Sequence, residues 1–255
     1  MDNKDFYNRI SFFISSLTPD NSSLCERVGV EARERGVPVI RRETEGFLRM
    51  LLALKDPKRI LEIGTAVGYS TLIMAENTTD DCEITTIEIG EEDARQAEEN
   101  FRKAGIFDHV WRVHNDSVKD DTKSGHFFCG SDACNDNTET SGKGKRVCLI
   151  VGDAADVLPE LTECYDFVFL DASKGQYLKF FNGVRRILSP GAVVVSDNVL
   201  QGGDVLKSRF IIEQRDRTVH RRMRDFLFSI THDEEFITSI VPVGDGMAVS
   251  VFREE

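Results

Sequence analysis

The strongest constraint on this chain is an alternation of short apolar runs with helical stretches, in which each run ends on glycine or an acid. Arg59 to Gly64, Glu83 to Glu88, Val147 to Gly152, Phe167 to Asp171 and Ala192 to Asp197 read as strands. Near-continuous apolar strands of this kind are buried on both faces and pair in parallel, each joined to the next by a crossover helix. The rhythm predicts an α/β, doubly wound, mostly parallel sheet. At the end of the chain, Ile237 to Val243 and Met247 to Phe252 flank the turn Gly244-Asp245-Gly246. That pattern predicts a terminal antiparallel hairpin, and a seven-stranded sheet in all.

Sheets of this type bind ligands at the carboxyl ends of their strands. In EIGTAVGYS, Glu62 to Ser70, the glycines Gly64 and Gly68 follow a strand, where bare backbone lets a ligand approach the next helix. Position 66 is Ala, so the GxGxxG fingerprint of a dinucleotide site is incomplete. Glu88 closes the second strand twenty residues after Gly68, where a carboxylate accepts hydrogen bonds from both ribose hydroxyls. Asp153 and Ala154 follow the third strand and suit an adenine edge, although Asp153 serves equally as a helix cap. A Gly-rich turn, an acid and an acid on three successive strand ends point to an adenosyl cofactor.

The next two strand ends carry DASKGQY, from Asp171 to Tyr177, and SDNVL, from Ser196 to Leu200. Asp171, Asp197 and Asn198 form a hard oxygen donor set that suits magnesium or calcium and not zinc. Read singly, the Asp-Asn pair is an ordinary turn and Asp171 with Lys174 an ordinary ion pair. Beside an adenosyl site their joint occurrence favours catalysis, and the combination points to methyl transfer. Displacement at a sulfonium methyl needs an oxyanion in line, and a metal that chelates two neighbouring oxygens both acidifies a hydroxyl and aims it. The implied substrate therefore carries vicinal oxygens, with Lys174 placed to take the proton or stabilise the forming oxyanion.

These motifs resemble those of the cation-dependent class I O-methyltransferases, the group that includes catechol and caffeoyl-CoA methyltransferases, over most of residues 38 to 252. The resemblance implies a Rossmann-like fold, S-adenosylmethionine held by Gly64, Ser70 and Glu88, and a divalent cation, Mg2+ or another, on Asp171, Asp197 and Asn198. It adds Ile40 and Glu43 of PVIRRETEG as contacts to the methionine end of the cofactor, and a homodimer. Within the family, DASKGQY, SDNVL and PVGDGMAVSV look most like the bacterial tRNA 5-hydroxyuridine methyltransferases, which make 5-methoxyuridine at the wobble position. Gln201-Gly202-Gly203 stands where many relatives have an aromatic residue after DNVL.

The chain has 255 residues, 40% of them apolar, enough for one large domain. A formal charge of -12 argues against a generally sticky nucleic-acid binder. Six cysteines without a secretory leader, and no apolar run near the roughly 20 residues that cross a bilayer, predict a soluble cytoplasmic protein. Residues 4 to 55 read as a helical part, with Phe6, Ile10, Phe13 and Ile14 in one apolar stripe and Phe47, Met50, Leu51 and Leu54 in another. Residues 112 to 146 read as a flexible polar insertion, and His126, Cys129 and Cys134 within it lack the tight spacing of a zinc site.

Arg209 to Arg224 carries six arginines against Glu213 and Asp216. With Val219, Met223, Phe226 and Ile230 on one side, the segment predicts an amphipathic helix whose basic face could hold tRNA phosphates, extended by Arg41, Arg42, Arg185 and Arg186 if they converge. A solvated face is the plain reading. Three functions are thus expected, in this order: a tRNA wobble-uridine O-methyltransferase, a small-molecule catechol-type or caffeoyl-CoA-type O-methyltransferase, and a non-catalytic RNA or nucleotide-binding module.

Overall fold

In a computed structural model the chain is described over residues 3–113, 145–208 and 210–253. Its elements run α1 (Asn3–Leu17), α2 (Ser23–Glu34), α3 (Arg42–Lys55), β1 (Arg59–Ile63), α4 (Tyr69–Glu76), β2 (Glu83–Glu88), α5 (Glu91–Ala104), β3 (Phe107–Arg112), β4 (Arg146–Val151), α6 (Ala154–Val157), β5 (Tyr165–Leu170), α7 (Tyr177–Arg185), β6 (Leu188–Ser196), α8 (Arg217–Thr231), β7 (Phe236–Val241) and β8 (Met247–Phe252). Short 3-10 turns at Leu158–Glu160, Lys174–Gln176 and Gln201–Leu206 complete them.

The strands form one sheet in the order β3-β4-β2-β1-β5-β6-β8-β7. Every pairing from β3 to β6 is parallel, and the last two, β6 with β8 and β8 with β7, are antiparallel. The expected hairpin is present, but the sheet has eight strands where the sequence predicted seven. The addition is β3, an edge strand whose residues are half-buried or exposed. Its sequence, FDHVWR, mixes charge into the run because only one edge is paired, so the unbroken apolar signature of a central strand is missing.

Helices cover both faces. On one, Tyr177, Phe181 and Val184 of α7 and Met223, Phe226 and Ile230 of α8 meet Leu61, Ile63 and Val168 of the sheet. On the other, Val28, Leu48, Leu52, Leu72 and Phe101 of α2 to α5 meet Ile60, Ile84 and Phe167. The apolar stripe foreseen on α3 is turned: Leu48 and Leu52 are buried, while Met50 and Leu54 are exposed. On α1, Phe13 and Ile14 are exposed too. Most of the polar segment foreseen at 112–146, with its His126, Cys129 and Cys134, lies outside the described residues.

Strand order reverses between β1 and β5: the chain builds outward from β1 through β2 and from β5 through β6. In a parallel sheet this switch point opens a crevice at the strands' carboxyl ends. Gly64 and Asp171 stand on either side of it.

Candidate active site

Gly64 follows β1 with φ +102°, and a Cβ added there would lie 2.1 Å from the main-chain oxygen of Asp171. The first glycine is thus demanded by the close approach of two strand ends, quite apart from any ligand. Gly68 has φ +84° and caps α4, and a Cβ would meet the Phe101 ring at 2.5 Å. Its role is internal packing.

Glu62 and Ser70 are the hidden supports of this turn. The Glu62 carboxylate is fully buried and accepts hydrogen bonds from Ser70 Oγ at 2.5 Å, Thr86 Oγ1 at 2.5 Å and Thr71 Oγ1. Burial pushes its pKa up to about 7 against those three donors, with the nearby Asp171 adding to the rise. Glu62 therefore anchors α4 to β1 and β2 and does not line the cavities, whereas Ser70 does.

Two cavities flank the turn. One, of 360 Å³, is lined by Gly64, Ala66, Glu88, Ile89, Asp153 and Ala154 among others, and gathers three of the strand ends singled out for the nucleoside. Glu88 is fixed by the amides of Ala66 at 2.8 Å and Gly90 at 2.7 Å. Asp153 caps α6, accepting from the Ala155 amide at 2.8 Å, so its side chain takes the capping role that the sequence left open. Ile89 is 70% exposed and lines the same cavity. Its only sequence signal is an apolar residue directly after the strand-end acid.

The second cavity, of 420 Å³, shares Gly64, Ala66, Asp171 and Ala172 with the first and is lined further by Ile40, Arg41, Thr44, Ser70, Lys174, Asp197, Asn198 and Asp245. Ile40 is where it was expected, but Glu43 is not brought to the cavity. Its carboxylate accepts hydrogen bonds from Ser15 Oγ at 2.8 Å and from Ser11 Oγ, tying α3 to α1, and Thr44 faces the cavity instead.

Asp171 and Asp197 meet here because β5 and β6 are neighbours. Tyr177 locks them: its buried hydroxyl donates to the Asp197 carbonyl at 2.9 Å and reaches the Leu170 carbonyl at 3.3 Å. The Asp171 carboxylate receives no hydrogen bond among the described residues; Asp197 receives one, from the Asn198 amide at 2.7 Å. Burial raises the Asp171 carboxyl to about 6, opposed by Lys174. Burial and then the charge of Asp171 raise Asp197 to about 7. Asn198 holds φ +61°, a left-handed conformation that asparagine tolerates better than most residues, and its side chain has no hydrogen bond among the described residues.

Among the described residues no group of three His, Cys, Asp or Glu is placed to hold a metal. The donor set here is two carboxylates and an amide, and two under-satisfied carboxylates in mutual repulsion fit a hard cation.

The arginines expected to extend a basic face each have partners of their own. Arg42 is bound by Asp20 at 2.7 Å, Glu26 at 2.5 Å and Glu45 at 3.1 Å, Arg185 by Asp233 and Glu235, and Arg186 by the Leu158 carbonyl. Arg41 pairs with Asp245 at 2.8 Å. Arg209 lies outside the described residues.

The switch-point crevice, with its Gly turn, the strand-end acid Glu88 and the paired Asp197-Asn198 end, is where a Rossmann-like sheet binds its ligands. Residues 20–123 and 131–252 match the family model described as O-methyltransferase, and the chain belongs to that family. It is 26% identical to a catechol O-methyltransferase of Niastella koreensis over 98% of this chain and 100% of that protein. It is also 26% identical to a catechol O-methyltransferase of Mycobacterium tuberculosis, over 95% of this chain and 94% of the other. The fold is shared with the O-methyltransferase TomG of Streptomyces achromogenes, solved in complex with S-adenosylmethionine, at TM-score 0.73 and 24% identity over the whole of both chains. No helix among the described residues is long and apolar enough to cross a membrane.

Proposed function

We propose that this enzyme methylates one of two neighbouring oxygens on a small catechol-like molecule, and not the tRNA base that the sequence motifs first suggested. The carrying observation is the pair Asp171 and Asp197, the first half-buried and the second buried, repelling one another and nearly without donors beside the cavity that Gly64 and Ser70 also line. The full-length likeness to proteins named catechol O-methyltransferase supports the same substrate class. The dispersal of Arg42, Arg185 and Arg186 into other contacts removes much of the extended basic face a tRNA reading drew on.

Asp171, Asp197 and Asn198 would hold the divalent cation. Bound there, it supplies a Lewis acid that lowers the pKa of a substrate hydroxyl and holds its neighbour. The chain's own part is positional. Glu88 and the Gly64 turn hold the nucleoside end, Ile40 and Thr44 close over the methionine end, and Lys174 on the cavity wall accepts the hydroxyl proton or stabilises the oxyanion.

The test is product analysis by mass spectrometry with pure protein, S-adenosylmethionine and Mg2+, offering a catechol and, separately, tRNA bearing 5-hydroxyuridine. Methylated catechol that chelation abolishes is expected. Formation of 5-methoxyuridine with no methylated catechol would overturn the reading.

A further inference from the structure

Away from the active site, one thiol has a partner that methyl transfer does not use. Cys148 Sγ lies 3.1 Å from His109 Nε2, and His109 Nδ1 lies 3.0 Å from Asp108 Oδ2. His109 of β3 and Cys148 of β4 are register partners in the parallel pair, which sets them side by side. Successive side chains on a strand point to opposite faces, so Asp108 and His109 would ordinarily diverge. A bulge between Phe107 and His109 leaves Asp108 unmatched on β4 and re-aims its carboxylate onto the His109 ring. Trp111 meets the same ring edge-on, with centroids 5.6 Å apart, and helps to fix its plane.

The order of the three groups decides where the proton goes. A carboxylate at Nδ1 favours the tautomer that carries its proton there, which leaves Nε2 as an acceptor facing the thiol. Transfer of the S–H proton to Nε2 gives a thiolate and an imidazolium, and Asp108 stabilises the imidazolium. Two other buried thiols lack this arrangement: neither Cys25 nor Cys82 has an imidazole partner among the described residues. Burial, and then the carboxylates of Glu76, Glu45 and Glu26, pushes the Cys25 thiol well above its ordinary range. Burial pushes Cys82 up to about 11.

We infer that Cys148 is a modification site for hydrogen peroxide, its thiol activated by His109 and Asp108, and that its oxidation weakens cofactor binding. The thiolate attacks one peroxide oxygen, so that an S–O bond forms as the O–O bond breaks. The departing hydroxide takes the proton from His109 Nε2 and leaves as water. Sulfur is oxidised to a sulfenic acid and the peroxide is reduced. Cys148 is only 1% exposed, but the His109 side chain is 27% exposed on the edge strand β3, so peroxide enters past the ring as that edge opens locally. The consequence travels along β4. Oxygen added to a sulfur packed in the core needs both volume and a polar partner. Four residues on, the Gly152 amide donates to the Glu88 carbonyl at 2.8 Å, and Glu88, Gly152, Asp153 and Ala154 line the cavity of 360 Å³. None of this depends on which substrate is methylated.

Two measurements on the full chain test this. In the first, protein exposed to hydrogen peroxide is quenched with catalase, unfolded in dimedone and digested, and mass spectrometry follows the adduct on each cysteine peptide. Cys148 is expected to be oxidised at least about tenfold faster than Cys25 and Cys82, with its rate falling about tenfold in His109→Gln and less in Asp108→Asn. In the second, calorimetry with S-adenosylhomocysteine compares treated and untreated protein. Peroxide is expected to weaken binding about threefold or more in the parent and not in Cys148→Ser. Affinity before treatment reports that each variant is folded.

A Cys148 rate no higher than that of Cys25 or Cys82 would overturn the site, as would a rate that neither His109→Gln nor Asp108→Asn lowers. Oxidation of Cys148 with unchanged cofactor affinity would sustain the site and overturn its link to the cofactor. A loss of affinity that persists in Cys148→Ser would overturn that link too.

Discussion

The Arg41 guanidinium meets the Asp245 carboxylate at 2.8 Å, and both side chains line the cavity of the reacting centre. Arg41 precedes α3, and Asp245 sits in the β7–β8 turn between two glycines of positive φ, Gly244 and Gly246. A Cβ on Gly244 would come 2.3 Å from Thr44 Oγ1, and one on Gly246 would come 2.3 Å from Leu200 Cγ. The turn is thus wedged between the segment covering the cofactor cavity and the loop that carries Asn198. Backbone bonds from Val199 to Gly246 and from Leu200 to Asp245, each 2.9 Å, join it to that loop.

From this wedge we expect Asp245→Asn to weaken S-adenosylhomocysteine binding modestly, about two- to fivefold, because the pair is half exposed and screened. The effect should shrink at high salt. Titration calorimetry at low and at high ionic strength checks it, and an affinity change indifferent to salt would mean that the ion pair is not its origin.

Gly64→Ala should be severe, costing about 3 kcal/mol or more, since the new methyl group strikes main chain that cannot turn aside. Gly105→Ala is the comparison: Gly105 also has positive φ, at +70°, but nothing lies within 4 Å of its added Cβ. That change should cost only about 1 kcal/mol. Denaturant melts of the two variants separate steric exclusion from backbone preference.

The raised pKa of Glu62 makes stability depend on pH in a defined direction. Between its ordinary value of 4.5 and about 7, the folded protein holds a proton on this group that the unfolded chain releases. Stability from this group therefore falls as pH rises through that window, by at most roughly 1.4 kcal/mol per pH unit. Glu62→Gln should flatten that part of the profile. Unfolding free energies of parent and variant at pH 5 and pH 7 measure it.

Asp171→Asn and Asp197→Asn should each remove divalent-cation binding, followed with Mn2+ by calorimetry, and lower kcat by about a hundredfold or more. Asn198→Ala should weaken Mn2+ less, because it deletes a neutral donor. Retention of full Mn2+ affinity in both aspartate variants would place the cation elsewhere.

Much of the site was legible because strand ends announce themselves. An apolar run that stops on Gly64, Glu88, Asp171 or Asp197 puts that residue at a sheet edge whatever the helices do, and parallel order collects the edges at one end. β3 was not legible, since an edge strand buries too little to show an apolar run. The sequence pointed to Glu43, whereas it is Thr44 that faces the cavity. Neighbours on a helix point about 100° apart, so which one sees the cavity depends on how α3 is rolled against α1.

By itself, then, the sequence determined the mostly parallel α/β sheet, its closing hairpin and which residues stand at the strand ends, because period and punctuation are local properties of the chain. Tertiary structure alone decided which charges are spent and which remain. Arg42 and Arg185 are neutralised by carboxylates far away in sequence, whereas Arg217, Arg221 and Arg224 have no carboxylate within 4 Å among the described residues. Coulombic pairing acts over a few ångströms of space, and distance along the chain does not reveal it.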